Sequence, residues 1–277
     1  MSEFQDKVVE ITGAGGGLGR SHALEFAKRG AKVVVNDLGG SVDGTGASDS
    51  AKEVVAEIEA MGGQAIANGD SVADKAGARR IIQDAVDAFG TVHILVNNAG
   101  ILRDKTLKKM DMEDFDVVMQ VHMNGSAYVT KAAWDIMYEQ RYGRIVLTSS
   151  GSGIYGNFGQ SNYGAAKLGL VGLTRVLANE GKAKGIKANA IAPVAKTRMT
   201  EDLLGPLGDK LEPSEVTPTV VYLAHEDCPV NGEVYSVAGG VVARYFIGLT
   251  PGWYAEGHSA EDVRDHFEQI RDETGYI

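Results

Sequence analysis

Tyr163 and Lys167 stand four residues apart in Tyr163-Gly164-Ala165-Ala166-Lys167, and Ser150 precedes the tyrosine by thirteen. On a helix that spacing puts phenol and ammonium on one face. A phenol with a solution pKa of about 10 is a poor base at neutral pH. A neighbouring ammonium favours the phenolate and lowers that pKa. The pair is therefore expected to take or give the proton of an alcohol or ketone, with the Ser150 hydroxyl bonded to the same oxygen. Tyr-x-x-x-Lys alone also fits a core aromatic beside a solvated lysine, so a second motif must decide.

That motif is Thr12-Gly13-Ala14-Gly15-Gly16-Gly17-Leu18-Gly19, between an apolar run and a helix-length stretch. A turn that closes a strand and opens a helix offers free N–H groups and a positive dipole end to a pyrophosphate. Glycine permits positive φ and close approach of a ligand. No Gly-Lys-Ser/Thr follows, so it is not a Walker loop. Gly13, Gly17, Leu18 and Gly19 are the expected dinucleotide contacts. Eighteen residues past Gly19, the run Val33-Val34-Val35-Asn36 ends in Asp37. A carboxylate there accepts from ribose hydroxyls and repels a 2′-phosphate, which favours NAD over NADP. Arg20 is the one nearby cation that argues the other way. With a nicotinamide present, the expected reaction is hydride transfer coupled to proton transfer at Tyr163.

These groups need a scaffold. β-branched runs at 7–11, 32–36, 64–68, 92–96, 144–148, 187–191 and 233–237 alternate with helix-length stretches near 18–29, 49–61, 74–89, 111–140, 161–183 and 214–224. The alternation predicts an α/β fold: one Rossmann-type, doubly wound domain over 1–240, with a seven-stranded, mostly parallel sheet and helices on both faces. Residues 241–277 read as a tail with a terminal helix, opened by a Ser259…Asp262 capping box and striped by Val263, Phe267 and Ile270. Glu10 is out of place, because a central parallel strand is buried on both faces. It is expected to carry a raised pKa or a close polar partner and no catalytic role.

Composition narrows the class. The 277 residues are 44% apolar and 23% charged, within the range of ordinary globular proteins. A net charge of -10 argues against nucleic acid or an anionic membrane as partner. The single cysteine, Cys228, suits a reducing compartment. Residues 1–7 do not read as a signal peptide and 275–277 are not a peroxisomal tripeptide, so the cytoplasm is expected. No metal site is expected.

Together these motifs resemble the short-chain dehydrogenase/reductase family over about residues 5–240. The resemblance implies further roles. Asn97-Asn98-Ala99-Gly100 follows the fourth strand, where the family steadies the sheet and walls the adenine pocket. Asp70 and Ser71 follow the third strand, where it contacts adenine. Asn124, in His122-Met123-Asn124-Gly125, matches the family's fourth catalytic position, which holds a water that links the lysine to solvent. Pro193 through Thr197 matches the segment around the nicotinamide, with Val194 in place of the usual glycine.

A narrower resemblance lies in Asn36-Asp37-Leu38-Gly39-Gly40, Ala99-Gly100-Ile101-Leu102-Arg103-Asp104, the run 153–160 and Thr197-Arg198-Met199-Thr200. These look like the (3R)-hydroxyacyl-CoA dehydrogenase domains of type 2 peroxisomal multifunctional enzymes, also described as 17β-hydroxysteroid dehydrogenases. A 3-hydroxyacyl-CoA or a steroid alcohol is the substrate this implies, and a homodimer or homotetramer the assembly. Tyr155 and Phe158 are expected at the pocket mouth beside Ser150 and Tyr163, residues 194–213 as a substrate lid, and Lys105, Lys108, Lys109 and Arg198 near CoA phosphates. A dinucleotide-binding scaffold without turnover is the reading from another class; it has no need of Asn124, Ser150, Tyr163 and Lys167 together.

Overall fold

The computed structural model describes residues 3–46, 48–195 and 211–277. Strands β1 (Val8–Thr12), β2 (Lys32–Asn36), β3 (Gln64–Asn68), β4 (Ile94–Asn97), β5 (Gly143–Thr148), β6 (Ile186–Val194), β7 (Val234–Ala238) and β8 (Val241–Tyr245) form one sheet in the order β3-β2-β1-β4-β5-β6-β7-β8. Every pairing from β3 through β7 is parallel. Among the described residues up to the second unit, the α-helices are α1 (Gly17–Lys28), α2 (Ser50–Ala60), α3 (Lys75–Phe89), α4 (Met112–Met119), α5 (Gly125–Glu139), α6 (Gly151–Tyr155), α7 (Ser161–Gly181) and α8 (Thr217–Ala224). Val9, Ile11, Val33, Val35, Ile94 and Val96 pack with Phe26 of α1 and Val220 of α8 into the core on one face.

The strand order reverses beside β1: β2 and β3 build outward on one side, and β4 returns to the other. In open parallel sheets that switch point leaves a crevice beyond the strand ends, where ligands bind. The glycine turn and the Asn98–Gly100 segment both empty into it.

The structure corrects several expectations. Among the described residues the sheet has eight strands. Gly239 and Gly240, read as the end of the domain, both take positive φ (51° and 78°) and form a two-residue turn. That geometry suits a tight hairpin, so β8 folds back antiparallel to β7 at the sheet edge. The long helix over 111–140 is broken by a π turn at Gln120–Asn124. The compact units divide between Arg244 and Tyr245. In the second unit the capping box forms, but the terminal helix is two short ones, α9 (Ala260–Asp265) and α10 (Phe267–Arg271). His266 separates them: its ring stacks on Trp253 at 4.1 Å, with Nδ1 2.8 Å from the Asp262 carbonyl oxygen. Leu249 and Ile277 exchange two backbone hydrogen bonds that close this unit.

Glu10 lies at 0% exposure between Val34 of β2 and Leu95 of β4. Among the described residues neither carboxyl oxygen meets a partner. Burial, aided by the charge of Asp84, raises its pKa well above the usual 4.5. The fold therefore tolerates the acid and penalises the carboxylate. The penalty is absent below the unfolded pKa and grows as pH rises through the folded one. Glu10→Leu is expected to add about 1–3 kcal/mol to unfolding stability near neutral pH, with full activity. Urea titrations from pH 5 to pH 8 would show a gap over wild type that widens with pH; a constant gap, or lost turnover in the folded variant, would refute this.

Candidate active site

The crevice is built from the ends of β1, β2, β4 and β5. Asn98 Nδ2 donates to the carbonyls of Thr12 and Gly13, both at 3.1 Å, while Thr12 Oγ1 accepts from the N–H groups of Asn98 (3.0 Å) and Ala99 (3.1 Å). Gly13 takes φ +66°, and a Cβ there would stand 2.7 Å from Ala99 Cα. A Cβ on Gly19 would lie 2.2 Å from the Gly13 oxygen. Glycine is thus required at Gly13 for conformation and for space, and at Gly19 for space. Helix α1 starts on Gly16, which has no side chain to cap it, so its first N–H groups face the crevice. Gly17 opens α1 and Leu18 packs against the core.

Asp37 Oδ2 accepts from Gly15 N at 2.8 Å and Oδ1 from Gly39 N at 2.7 Å, which locks the end of β2 to the glycine turn. Arg20 is occupied elsewhere, its guanidinium paired with both carboxyl oxygens of Glu57. Asp70 accepts from Arg80 at 2.8 and 2.6 Å, and that bond holds its pKa below the ordinary value. Ser71 Oγ accepts from Ala73 N. An uncapped helix start, a turn that admits no Cβ and a strand-end carboxylate fit a dinucleotide's pyrophosphate and ribose.

On the other side of the crevice, Ser150 follows β5 by two residues and caps α6, its Oγ accepting from Ser152 N at 3.2 Å. Tyr163 lies in the first turn of α7, near enough to Ser150 for that hydroxyl to act on its phenol. Lys167, one turn on and buried, donates from Nζ to the Thr148 carbonyl at 2.6 Å and sits 5.4 Å from the Tyr163 ring centroid. Ser149 Oγ donates to the Lys167 carbonyl at 2.7 Å. The structure thus brings Ser150, Tyr163 and Lys167 together. Asn124 closes the π turn, its Nδ2 donating to Gln120 Oε1 at 2.7 Å.

The electrostatics differ from the simple expectation. Burial pushes the Tyr163 phenol up to about 12; the Ser150 hydrogen bond opposes this and the charge of Asp104 adds to it. Burial brings Lys167 down to about 7. Desolvation is the largest cause of both shifts, with Lys167 buried and Tyr163 half-buried.

Other expected residues fall variously. Pro193 lies in β6 opposite Val237 of β7. Tyr155 and Phe158 follow Ser150 and are 78% and 89% exposed. Lys105 is engaged by Asp111 and Asp114 at 3.1 and 2.8 Å, so it offers little free charge to a phosphate. Thr197, Arg198 and most of the expected lid lie outside the described residues.

Two buried residues escaped the sequence reading. Asn162 Nδ2 donates to the Arg103 and Asp114 carbonyls, which fastens the first turn of α7. His122 packs edge-on against Tyr163, with centroids 5.1 Å apart. A polar residue directly beside Tyr163, and a histidine two positions before Asn124, were the available signals. Among the described residues no cluster of three or more His, Cys, Asp or Glu could hold a metal, and no helix is long and apolar enough to cross a membrane.

Comparison with known proteins gives one family. Residues 7–205 match the short chain dehydrogenase family model. The chain is 53% identical to a short-chain type dehydrogenase/reductase of Mycobacterium tuberculosis, over 99% of this chain and 97% of that one. It is 50% identical to mouse peroxisomal multifunctional enzyme type 2 over 97% of its own length, but spans only 37% of that enzyme. The solved structure of a short chain dehydrogenase from Mycobacterium avium superposes with a TM-score of 0.86 at 40% identity, covering 97% of each chain.

Gly19→Ala tests the glycine turn. The variant is expected to fold and to bind NADH at least about tenfold more weakly, since the methyl group displaces backbone that a pyrophosphate must approach. Titration of NADH fluorescence checks it; unchanged affinity would remove the turn from the cofactor site.

Proposed function

Because the chain belongs to the short-chain dehydrogenase family, we propose that it is an NAD-dependent dehydrogenase that interconverts (3R)-3-hydroxyacyl-CoA and 3-ketoacyl-CoA. The observation that carries the chemistry is the grouping of Ser150, Tyr163 and buried Lys167 across one crevice from the glycine turn. The substrate class rests on the narrower resemblance and on relatives named multifunctional enzyme type 2.

Gly13, Gly17, Leu18 and Gly19 would hold the pyrophosphate, Asp37 the adenosine ribose, Asp70, Ser71 and Asn98–Gly100 the adenine side, and Pro193 and Thr197 the nicotinamide. When bound, the dinucleotide supplies the hydride acceptor and a positive charge beside the phenol. Tyr163 takes the hydroxyl proton during oxidation and returns it during reduction. With its pKa near 12, Tyr163 is a neutral acid at pH 7, already in the donor state. To act as base it needs positive charge nearby, and Lys167 provides that only when protonated. The two groups titrate as a pair: ionising the phenol favours the ammonium. Ser150 holds the substrate oxygen at the phenol.

Asp37 favours NAD, and the Arg20–Glu57 pair removes the cation best placed to welcome a 2′-phosphate. The kcat/KM with NAD is expected to exceed that with NADP by roughly tenfold or more, the effect of one close like-charge contact near a protein surface. Half-exposed Leu168 and Val176 on α7 support a homodimer or homotetramer, and buried Cys228 suits the cytoplasm.

The test is NADH formation with matched (3R)- and (3S)-3-hydroxyacyl-CoA, with estradiol in parallel. Turnover is expected on the 3R thioester alone, with Tyr163→Phe at least about 100-fold slower, as for loss of a general acid–base group. Activity on estradiol but not on thioesters would move the substrate to a steroid alcohol. NADH binding without turnover on any of them would favour the non-catalytic scaffold.

A further inference from the structure

Strands β2 and β3 both end on asparagine, a residue that strands disfavour. The register sets Asn36 beside Asn68, and the two are 2% and 4% exposed. A buried amide needs partners for its nitrogen and for its oxygen. Asn36 Nδ2 donates to Asn68 Oδ1 at 2.8 Å and to the Asp70 carbonyl at 2.9 Å. Asn68 Oδ1 also accepts from Asp70 N at 2.8 Å. Asn68 Nδ2 donates to Asp70 Oδ2 at 3.1 Å and to Asp84 Oδ2 of α3 at 2.6 Å. The peptides of the same two residues reach the rest of the crevice. The Asn36 carbonyl accepts from Ala14 N in the glycine turn at 2.9 Å, and the Asn68 carbonyl from Asp37 N at 3.0 Å. One buried pair thus bonds to the glycine turn, to Asp37 and to Asp70, the three places proposed for the pyrophosphate, the ribose and the adenine.

We infer that Asn36 and Asn68 are positioning residues for the adenosine half of the dinucleotide: their paired amides fix Asp37 and Asp70 relative to each other and to the glycine turn. Asp37 and Asp70 lie past the ends of neighbouring strands, where the ladder of β2 and β3 no longer sets their separation. The amides set it instead. Asp70 is held at its N–H, its carbonyl and one carboxyl oxygen, and Arg80 of α3 holds the other oxygen. A site kept in its binding geometry before the ligand arrives loses less conformational freedom on binding. In the sheet order, β2 and β3 stand three and four strands away from β5, beyond which Ser150 lies. Loosening the pair is therefore expected to weaken binding of the adenosine half and to leave the chemical step alone. The inference rests on the proposed adenosine roles of Asp37 and Asp70, and the experiment separates the two.

Wild type, Asp37→Ala, Asn68→Ala, Asn36→Ala and Val33→Ala are titrated with ADP-ribose and with NADH, and assayed with NAD and (3R)-3-hydroxybutyryl-CoA. Weaker ADP-ribose binding by Asp37→Ala upholds the adenosine reading; unchanged binding overturns that reading and this inference with it. Given the first result, Asn68→Ala is expected to raise the Kd of ADP-ribose and of NADH about tenfold, the scale of one net hydrogen bond. Its KM for NAD is expected to rise in step, with kcat at saturating NAD within about threefold of wild type, as for an interaction made equally before and during reaction. Asn36→Ala, which removes two of the bonds, is expected to shift both Kd values in the same direction. Val33, fully buried in the core of β2, makes none of these side-chain bonds. Val33→Ala is expected to lower Tm at least as much as Asn68→Ala, through lost packing, with the Kd of ADP-ribose within about twofold of wild type. If Asn68→Ala does not fold, Asn36→Ala carries the full expectation. The inference falls if the asparagine variants keep their affinity for ADP-ribose, if Val33→Ala weakens it as much, or if the loss lies in kcat.

Discussion

One amide nitrogen, Asn98 Nδ2, donates to two successive carbonyls, those of Thr12 and Gly13, on the neighbouring strand. Parallel strands diverge past their last ladder bond, and nothing in the sheet itself sets the gap between them. Asn98 and the Thr12 hydroxyl set it here. They hold the turn where Gly13 must take positive φ and where Gly19 must lack a side chain. They also fix the start of Ala99–Ile101, on which His122 rests. Both walls of the crevice are referenced to this single clamp.

The second constraint is dryness. Tyr163 and Lys167 lie close together, yet each is driven toward its neutral form by burial. Such a site spends little energy holding charge while idle. It answers strongly when charge enters, because in low dielectric a field acts on the phenol with little screening. Lys167 is held by the Thr148 carbonyl, and its backbone by Ser149, so it cannot swing out to water when charged. Order in the strand end thereby becomes control over a proton.

The local parts of this arrangement were legible in the sequence. Tyr163 and Lys167 are related by one helical turn, and Asp37 by its place at a strand end; both relations survive folding. Glu10 was visible as a carboxylate in an apolar run. What escaped depends on non-local or irregular geometry. A regular helix over 111–140 does not foretell that His122 is buried against Tyr163, because the π turn shifts the phase of the side chains along it. Gly239-Gly240 reads equally as an end and as a hairpin. The spacing of Tyr163 and Lys167 says they are neighbours but nothing of the dielectric around them, and that sets the direction of both pKa shifts. His266 ends a helix through a stack on Trp253, which no periodicity records.

The strand order also sets a schedule for the growing chain. β1, β2 and β3 pair with near neighbours and can assemble once the first third of the polypeptide exists. The other edge of β1 must wait for β4: Val8 N donates to His93 Nδ1, a partner 85 residues downstream. Until that segment arrives, a β-branched strand with a carboxyl group in its middle borders water along one side. Glu10 can stay hydrated and ionised there, and a charged open edge resists pairing with another chain. The residue that strains the finished sheet is then a guard on the unfinished one, and its proton is taken up only as the face it points to is covered.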